Sequence, residues 1–152
     1  MVLVWTVASA VFFVDLLIKT YLRSNFAFQS IPIIKGIFHI TVVFNKGAAF
    51  GILRGKTTFL IYIGLIFILF FLFFMRKEKE KKLPFLISYG LILGGAFSNL
   101  CDRVFLGYVI DYIDLRIWPV FNLSDTCISV GIFILLLMQF RSSLRSKAQP
   151  KQ

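Results

Sequence analysis

Four long apolar runs, separated by shorter segments that carry most of the charge, dominate the hydrophobic pattern of the chain. The clearest run, 58–75, is eighteen residues without a charged side chain. At ~1.5 Å per residue, a helix of this length nearly crosses a hydrocarbon layer of ~30 Å. The remaining runs predict helices at about 2–22, 84–102 and 124–140. The pattern therefore predicts four membrane-spanning helices.

The helices differ in the polar residues that they carry. Helix 84–102 opens with a proline, which the first turn tolerates, and contains Gly90, Gly94 and Gly95, which allow another helix to approach closely. Ser124 or Asp125 could cap the helix that begins near residue 124. The first run carries Asp15 and Lys19, and their four-residue spacing favours an ion pair on one helical face. This run lacks a basic leader and continues beyond the small residues at 8–10, so we expect a retained helix, not a cleaved signal peptide.

The segments between the helices predict a small sheet on one side. Residues 38–45, "FHITVVFN", are rich in β-branched and aromatic side chains and favour a strand, with glycines at 47 and 51 for a tight return. Residues 24–36 alternate around a proline and should lie along the membrane surface. Segment 103–123 is apolar for a loop and should do the same, with Tyr112 and Trp118 in the headgroup zone. We expect an all-α polytopic membrane protein, a single integral membrane domain over 1–152, with a β-rich segment at the outer surface.

Composition and charge agree with this assignment. The chain is 59% hydrophobic, above the range usual for soluble domains, and its net charge is +10. The basic residues lie in short clusters beside apolar runs, which is typical of membrane flanks and argues against nucleic acid as a partner. Loop 76–83 and tail 141–152 hold nine Lys and Arg at helix ends. The positive-inside rule then predicts cytoplasmic termini, with segments 23–57 and 103–123 facing outward.

The residues that could hold a metal are few. Two cysteines, Cys101 and Cys127, and the single histidine His39 cannot supply the four ligands of a structural zinc site. We expect neither a metal nor another cofactor.

Four of the five aspartates lie in the stretch 99–125. Asp114 has Arg116 two residues away, and Asp102 has Arg103 beside it and is expected to have other basic neighbours. Asp111 and Asp125, in contrast, have apolar neighbours and no local cation. Two desolvated carboxyls brought together share a proton, the equipment of an aspartic hydrolase. Other interpretations remain open: Asp125 could only cap a helix, Asp111 could pair with a distant arginine, or the acids could relay protons or hold helices together in a small transporter or assembly factor.

Several separated blocks resemble the lipoprotein signal peptidase family, also called signal peptidase II or prolipoprotein signal peptidase. They are "VDLLIK" (14–19), "FNKGAAFG" (44–51), "GGAFSNLCDRVFLGYVIDY" (94–112) and "FNLSD" (121–125). The resemblance implies that Asp111 and Asp125 are the catalytic pair. It further implies that one group of residues lies near the substrate or inhibitor, namely Asn45, Asn99, Arg103 and Asn122. For each of these asparagines, a hydrogen bond in a turn or at a helix end is the alternative role. A second group is structural: Asp15, Lys19 and Asp102. Leu16, Ser98 and Ser124 depart from the residues frequent in the family.

The resemblance also implies a function. A membrane aspartic endopeptidase of this family cleaves the signal peptide from diacylglyceryl-modified prolipoproteins, immediately before the lipidated cysteine. Its expected partners are that substrate, membrane lipid and the cyclic peptide inhibitor globomycin. We expect a monomer in the bacterial cytoplasmic (inner) membrane with its active site at the outer face. The segment containing "FNKGAAFG" could close over the substrate and exclude bulk water.

Overall fold

Four helices and one three-stranded sheet make up the part of the chain that the computed structural model describes, which is residues 1–47, 53, 55–78 and 82–148, with side chains as far as residue 144. The elements are, in chain order, α1 (Val2–Phe26), β1 (Ser30–Ile34), β2 (Phe38–Asn45), α2 (Thr57–Lys77), α3 (Leu83–Leu106), β3 (Val109–Asp114) and α4 (Leu123–Ala148). All four helices are long and apolar enough to cross a membrane. The predicted fold class is confirmed.

The helices run farther than the apolar pattern predicted. α1 continues to Phe26 instead of 22, and α4 continues to Ala148 instead of 140. α3 passes through its polar residues to Leu106 and ends where Gly107 adopts a left-handed conformation (φ 81°), which glycine reaches without strain. A helix can continue beyond its apolar run because backbone hydrogen bonds, which do not depend on side-chain hydrophobicity, hold it together.

Helix α3 is the centre of the bundle, and it packs against α1, α2 and α4. Two adjacent glycines allow this close packing. A Cβ at Gly94 would lie 2.5 Å from the carbonyl oxygen of Ala8 in α1, and a Cβ at Gly95 would lie 2.5 Å from that of Ser124 in α4. The predicted role of these glycines in close helix approach is confirmed.

The sheet has the order β1-β2-β3, and both pairings are antiparallel. Strand β2 has the predicted bounds, but the sequence did not predict its neighbours. Residues 30–34 form an edge strand instead of only lying along the membrane surface, and 109–114 form a strand within a segment predicted to be a loop. In the second pairing Val43 lies opposite Asp111, and Asn45 lies opposite Val109. This register brings the end of β2 beside the proposed catalytic acid.

The sheet lies against the carboxyl ends of α1 and α3, and β3 leads back into the start of α4. Val42 of β2 and Val109 and Ile110 of β3 are buried. Several sequence predictions concern residues outside the described part: 48–51 of the "FNKGAAFG" block, 79–81 of the basic loop and 149–152 of the tail.

Candidate active site

Asn122 starts helix α4 and organises the residues around it. Its side-chain oxygen accepts a hydrogen bond from the backbone N–H of Asp125 at 2.9 Å, and the Asp125 carboxylate accepts one from the backbone N–H of Asn122 at 3.3 Å. This reciprocal pair has the geometry of a capping box. The residue that caps the helix is therefore Asn122, not Ser124 or Asp125 as predicted. Helix α4 begins at Leu123, one residue before the predicted start, and Asn122 directly precedes it. The capping box fixes the Asp125 carboxylate within the first turn of α4.

Asp111 projects from β3 into the same place, and its side chain is 3% exposed. Asn122 donates to its Oδ1 at 2.7 Å, and Asn45, at the end of β2, donates to its Oδ2 at 2.8 Å. The pKa of Asp111 is raised to about 7: burial is the main cause and the nearby Asp125 carboxylate adds to it, whereas the two amide donors oppose the rise. Near neutral pH this carboxyl is therefore poised between its acid and its base form.

Asn99 of α3 completes the connection between the two acids. Its amide nitrogen donates to Asp125 Oδ1 at 2.8 Å, and its amide oxygen accepts from Asn122 Nδ2 at 3.1 Å. The structure thus brings together Asp111 and Asp125 with three of the sequence-predicted amides, Asn45, Asn99 and Asn122. The donors to the two carboxylates are neutral amide groups, so their hydrogen bonds orient the acids without adding positive charge.

Arg103 lies one helical turn after Asn99. Its guanidinium donates to the backbone oxygen of Asn99 at 3.2 Å and to that of Gly47 at 3.4 Å. It therefore connects α3 to the segment that follows β2. Its electrostatic interactions reach Asp125, Asp111 and Asp102. Among the described residues no ion pair joins an arginine to Asp111, so the alternative of a distant arginine partner finds no support there.

A second buried cluster adjoins the two acids on the α1 side. The predicted ion pair of Asp15 with Lys19 is present, with an N–O distance of 2.7 Å. Lys19 also pairs with Asp102 at 2.9 Å. The sequence placed Arg103 and further basic neighbours beside Asp102: Arg103 interacts with it electrostatically, and the neighbour that forms the ion pair is Lys19. Lys19 links two carboxylates from two helices.

Three hydroxyl groups complete the shell of Asp15. Ser98 and Ser124 each donate to its Oδ2 at 2.6 Å, and Tyr112 donates to its Oδ1 at 3.1 Å. Tyr112 is 4% exposed, so its predicted place in the headgroup zone was wrong. Strand alternation turns it inward, toward α1. Two of the departures from the family pattern, Ser98 and Ser124, thus meet at one oxygen atom, and only their small polar side chains hinted at this in the sequence.

Asp114 belongs to neither cluster. It accepts hydrogen bonds from Thr41 at 2.8 Å and from the backbone N–H of Arg116 at 2.8 Å, and it pairs with the Arg116 guanidinium at 3.1 Å. Desolvation raises the pKa of Asp114, but these hydrogen bonds outweigh it and leave the pKa below its ordinary value. Asp114 therefore stays ionised. In the described part of the chain, no group of three or more His, Cys, Asp or Glu could hold a metal ion.

Known proteins are similar to this chain in both sequence and fold. The family model described as "Signal peptidase (SPase) II" matches residues 7–141. The lipoprotein signal peptidase of Halothermothrix orenii is 44% identical over 136 residues, which cover 89% of this chain and 93% of that protein. That of Nostoc punctiforme is 40% identical over 144 residues, which cover 93% and 91% of the two chains.

Two solved bacterial membrane enzyme structures have the same fold. One superposes with a TM-score of 0.86 at 29% identity, covering 97% of this chain and 93% of the other. The second has a TM-score of 0.79 at 30% identity, with coverages of 88% and 90%. The four apolar helices and these bacterial relatives together identify a multi-pass membrane protein. By sequence and by fold, the chain belongs to the signal peptidase II family.

Proposed function

We propose that the protein is a membrane aspartic endopeptidase that removes the signal peptide from diacylglyceryl-modified prolipoproteins, cutting just before the lipidated cysteine. Asp111 and Asp125 form its catalytic dyad. The observation that carries the proposal is that a single residue, Asn122, holds both carboxyls, donating to Asp111 and exchanging two hydrogen bonds with Asp125. Membership in the signal peptidase II family supports the reaction class.

The chemistry follows from the different surroundings of the two acids. Asp111, whose pKa is raised to about 7, holds the shared proton in the resting enzyme. Its amide donors occupy one lone pair on each oxygen, which leaves room for that proton. Asp125 lies in the first turn of α4, where the helix dipole favours a negative charge. It is therefore the base.

Hydrolysis proceeds in two steps. A water molecule attacks the scissile carbonyl, Asp125 takes a proton from that water, and Asp111 donates its proton to the carbonyl oxygen. The resulting gem-diol then collapses: Asp111 takes back the hydroxyl proton, Asp125 passes its proton to the departing nitrogen, and the C–N bond breaks. The dyad ends with its original single proton. No cofactor takes part in either step.

The position of the dyad suits a substrate that arrives from the bilayer. The acids lie where the sheet meets the ends of α1, α3 and α4, and exposed apolar side chains such as Ile117 and Trp118 flank this end. We place this end at the outer face of the bacterial inner membrane, with both termini in the cytoplasm. Asn45, Asn99 and Arg103 line the approach to the dyad and contact the substrate backbone. Asp15, Lys19 and Asp102 are structural.

The second candidate, a small transporter or assembly factor, is not favoured. A transporter would hold its paired acids near the membrane midplane, between helices. Here one acid is on a sheet strand and the other is in the first turn of a helix.

The test is cleavage of a diacylglyceryl-modified prolipoprotein in detergent by wild type, Asp111→Asn and Asp125→Asn. Asp114→Asn is the matched control, since it removes a carboxylate from the same strand as Asp111. We expect wild type and the control to cut, and both dyad variants to lose at least about a thousandfold in rate while remaining folded. A dyad variant that cuts at a near-normal rate would overturn the assignment of the acids, and a wild type that never cuts would overturn the function.

A cyclic peptide inhibitor gives an independent check. Globomycin should block cleavage by wild type, and the Asp114→Asn control should be equally sensitive. Cleavage that continues at high inhibitor concentration would count against the proposed substrate site. We also propose that the protein is a monomer, which its mass in detergent would test.

A further inference from the structure

Lys19 has more contacts than an ion pair requires. Its side chain is 1% exposed, and its ammonium contacts Asp15, Asp102, the hydroxyl of Ser98 at 3.4 Å and the amide oxygen of Asn99 at 3.0 Å. A lysine ammonium only donates hydrogen bonds. Whichever end of the Asn99 amide faces Lys19 must therefore be the oxygen.

This constraint passes along a chain of amides. With its oxygen toward Lys19, Asn99 directs its NH₂ group at Asp125. The same oxygen accepts a hydrogen bond from Asn122, so the NH₂ group of Asn122 faces inward and also donates to Asp111. The oxygen of Asn122 is then free to accept from the N–H of Asp125. Without Lys19, a flipped Asn99 would present its oxygen to the Asp125 carboxylate, and two acceptors would face each other.

We propose that Lys19 is a positioning residue of the dyad, which sets the donor and acceptor direction of the amide chain Asn99–Asn122 and thereby the hydrogen bonds of both catalytic carboxyls. This inference rests on the proposed function. It gives Lys19 a role in catalysis beyond the ion pairs that hold α1 to α3.

The positive charge of Lys19 also affects the protonation of the dyad. Burial dominates the raised pKa of Asp111, and Lys19 moderates that rise. Other titratable or charged groups facing this region come from each packed element: Asp15 on α1, Cys101, Asp102 and Arg103 on α3, Tyr112 on β3, and Asp125 and Cys127 on α4. Removal of the lysine charge should thus favour the protonated dyad and move the pH profile of cleavage upward.

The test compares the double variant Lys19→Met/Asp102→Asn with Asp102→Asn alone. The double change removes one cation and one anion, and Asp15 keeps its hydroxyl donors Ser98, Ser124 and Tyr112. Asp102→Asn alone keeps the contacts of Lys19 with Asp15 and Asn99. Both variants lose the Lys19–Asp102 ion pair, so they differ in the contacts of Lys19 with Asp15, Ser98 and Asn99, and the glutamine variant below separates the hydrogen bond to Asn99 from the lysine charge. The readouts are kcat, KM and the pH profile of prolipoprotein cleavage per folded molecule.

We expect kcat of the double variant to be about 10- to 100-fold below that of Asp102→Asn, as for a misplaced catalytic group, with a similar KM and with both limbs of the pH profile at higher pH. Equal kcat values and profiles would overturn the inference, while cleavage by wild type would still support the proposed function.

Lys19→Gln/Asp102→Asn keeps an amide donor at position 19 and provides a second comparison. Its kcat should recover toward that of Asp102→Asn, with the pH profile still shifted. If the methionine variant does not fold, the glutamine variant replaces it in the test. A glutamine variant with the same kcat and the same pH profile as Asp102→Asn would then refute the role of Lys19.

Discussion

Replacing Asp111 with asparagine should make the protein inactive but change its stability in a pH-dependent way. The folded protein holds this carboxyl at a pKa of about 7, whereas an unfolded chain releases the proton near 3.9. Between these values the native state binds more protons than the unfolded state, so the free energy of unfolding falls as pH rises. The contribution of this raised pKa to the free energy of unfolding is fully present below pH 4 and is lost by about pH 7. Asparagine does not titrate, so the variant escapes this loss.

The magnitude follows from the two pKa values. One pKa unit corresponds to about 1.4 kcal/mol, so wild type should lose about 2.5 kcal/mol of stability relative to Asp111→Asn between pH 5 and pH 8. The substitution also has a cost that does not depend on pH. Asn45 and Asn122 both donate to Asp111, and an asparagine offers only one acceptor oxygen, so one hydrogen bond worth about 1 kcal/mol is lost. The informative quantity is therefore the slope of the stability difference with pH.

Thermal unfolding in one detergent at pH 5, 6, 7 and 8 measures that slope for wild type and for Asp111→Asn. Asp114→Asn is the control, because it removes a carboxylate from the same strand whose pKa lies below its ordinary value. A lowered pKa contributes stability that is lost only as pH falls through the folded pKa, so this variant should run parallel to wild type from pH 5 to pH 8. Curves for wild type and Asp111→Asn that are also parallel would refute the raised pKa and, with it, the role of Asp111 as the proton donor.

Two further predictions concern packing and the shell of Asp15. Gly95→Ala should destabilise the protein by about 1–3 kcal/mol, because the new Cβ would meet the carbonyl oxygen of Ser124. The control Gly64→Ala on α2, whose Cβ would lie 3.5 Å from its nearest atom, should be neutral or stabilising. Equal unfolding temperatures of the two variants would contradict this prediction. Ser98→Ala and Ser124→Ala should each cost about 1–3 kcal/mol, since each removes a short hydrogen bond to the buried Asp15 carboxylate. Unchanged thermal unfolding of both serine variants would show that these bonds add nothing.

The sequence predicted the features that depend on local pattern. The apolar runs gave all four helices, the β-branched stretch gave β2 with its bounds, and the i, i+4 spacing gave the ion pair between Asp15 and Lys19. The resemblance supplied the pair Asp111 and Asp125, which the absence of local cations had already set apart. These features can be predicted from neighbouring residues or from short blocks that recur in the family.

Features that depend on distant pairing were missed. Strand β3 forms because β2, more than sixty residues earlier, offers its edge, although the β-branched "VIDYID" was a signal that could have suggested it. The partner of Asp102 is Lys19 on another helix, and the inward turn of Tyr112 depends on the sheet register. Apart from their small polar side chains, nothing local indicates that Ser98 and Ser124 reach the same carboxylate oxygen. Such contacts arise only when the helices pack.

The capping box at the start of α4 ties the site to an element that is usually the weakest part of a helix. Terminal turns fray because their first N–H groups lack partners within the helix. Here the residue that prevents fraying, Asn122, also bonds Asp111 and Asn99. Unwinding of this turn would remove hydrogen bonds from both carboxyls at once and leave only Asn45 and Asn99 to hold them, so no frayed state retains the complete site. Local melting and loss of activity should therefore be a single event, and heat inactivation should report on one turn of one helix.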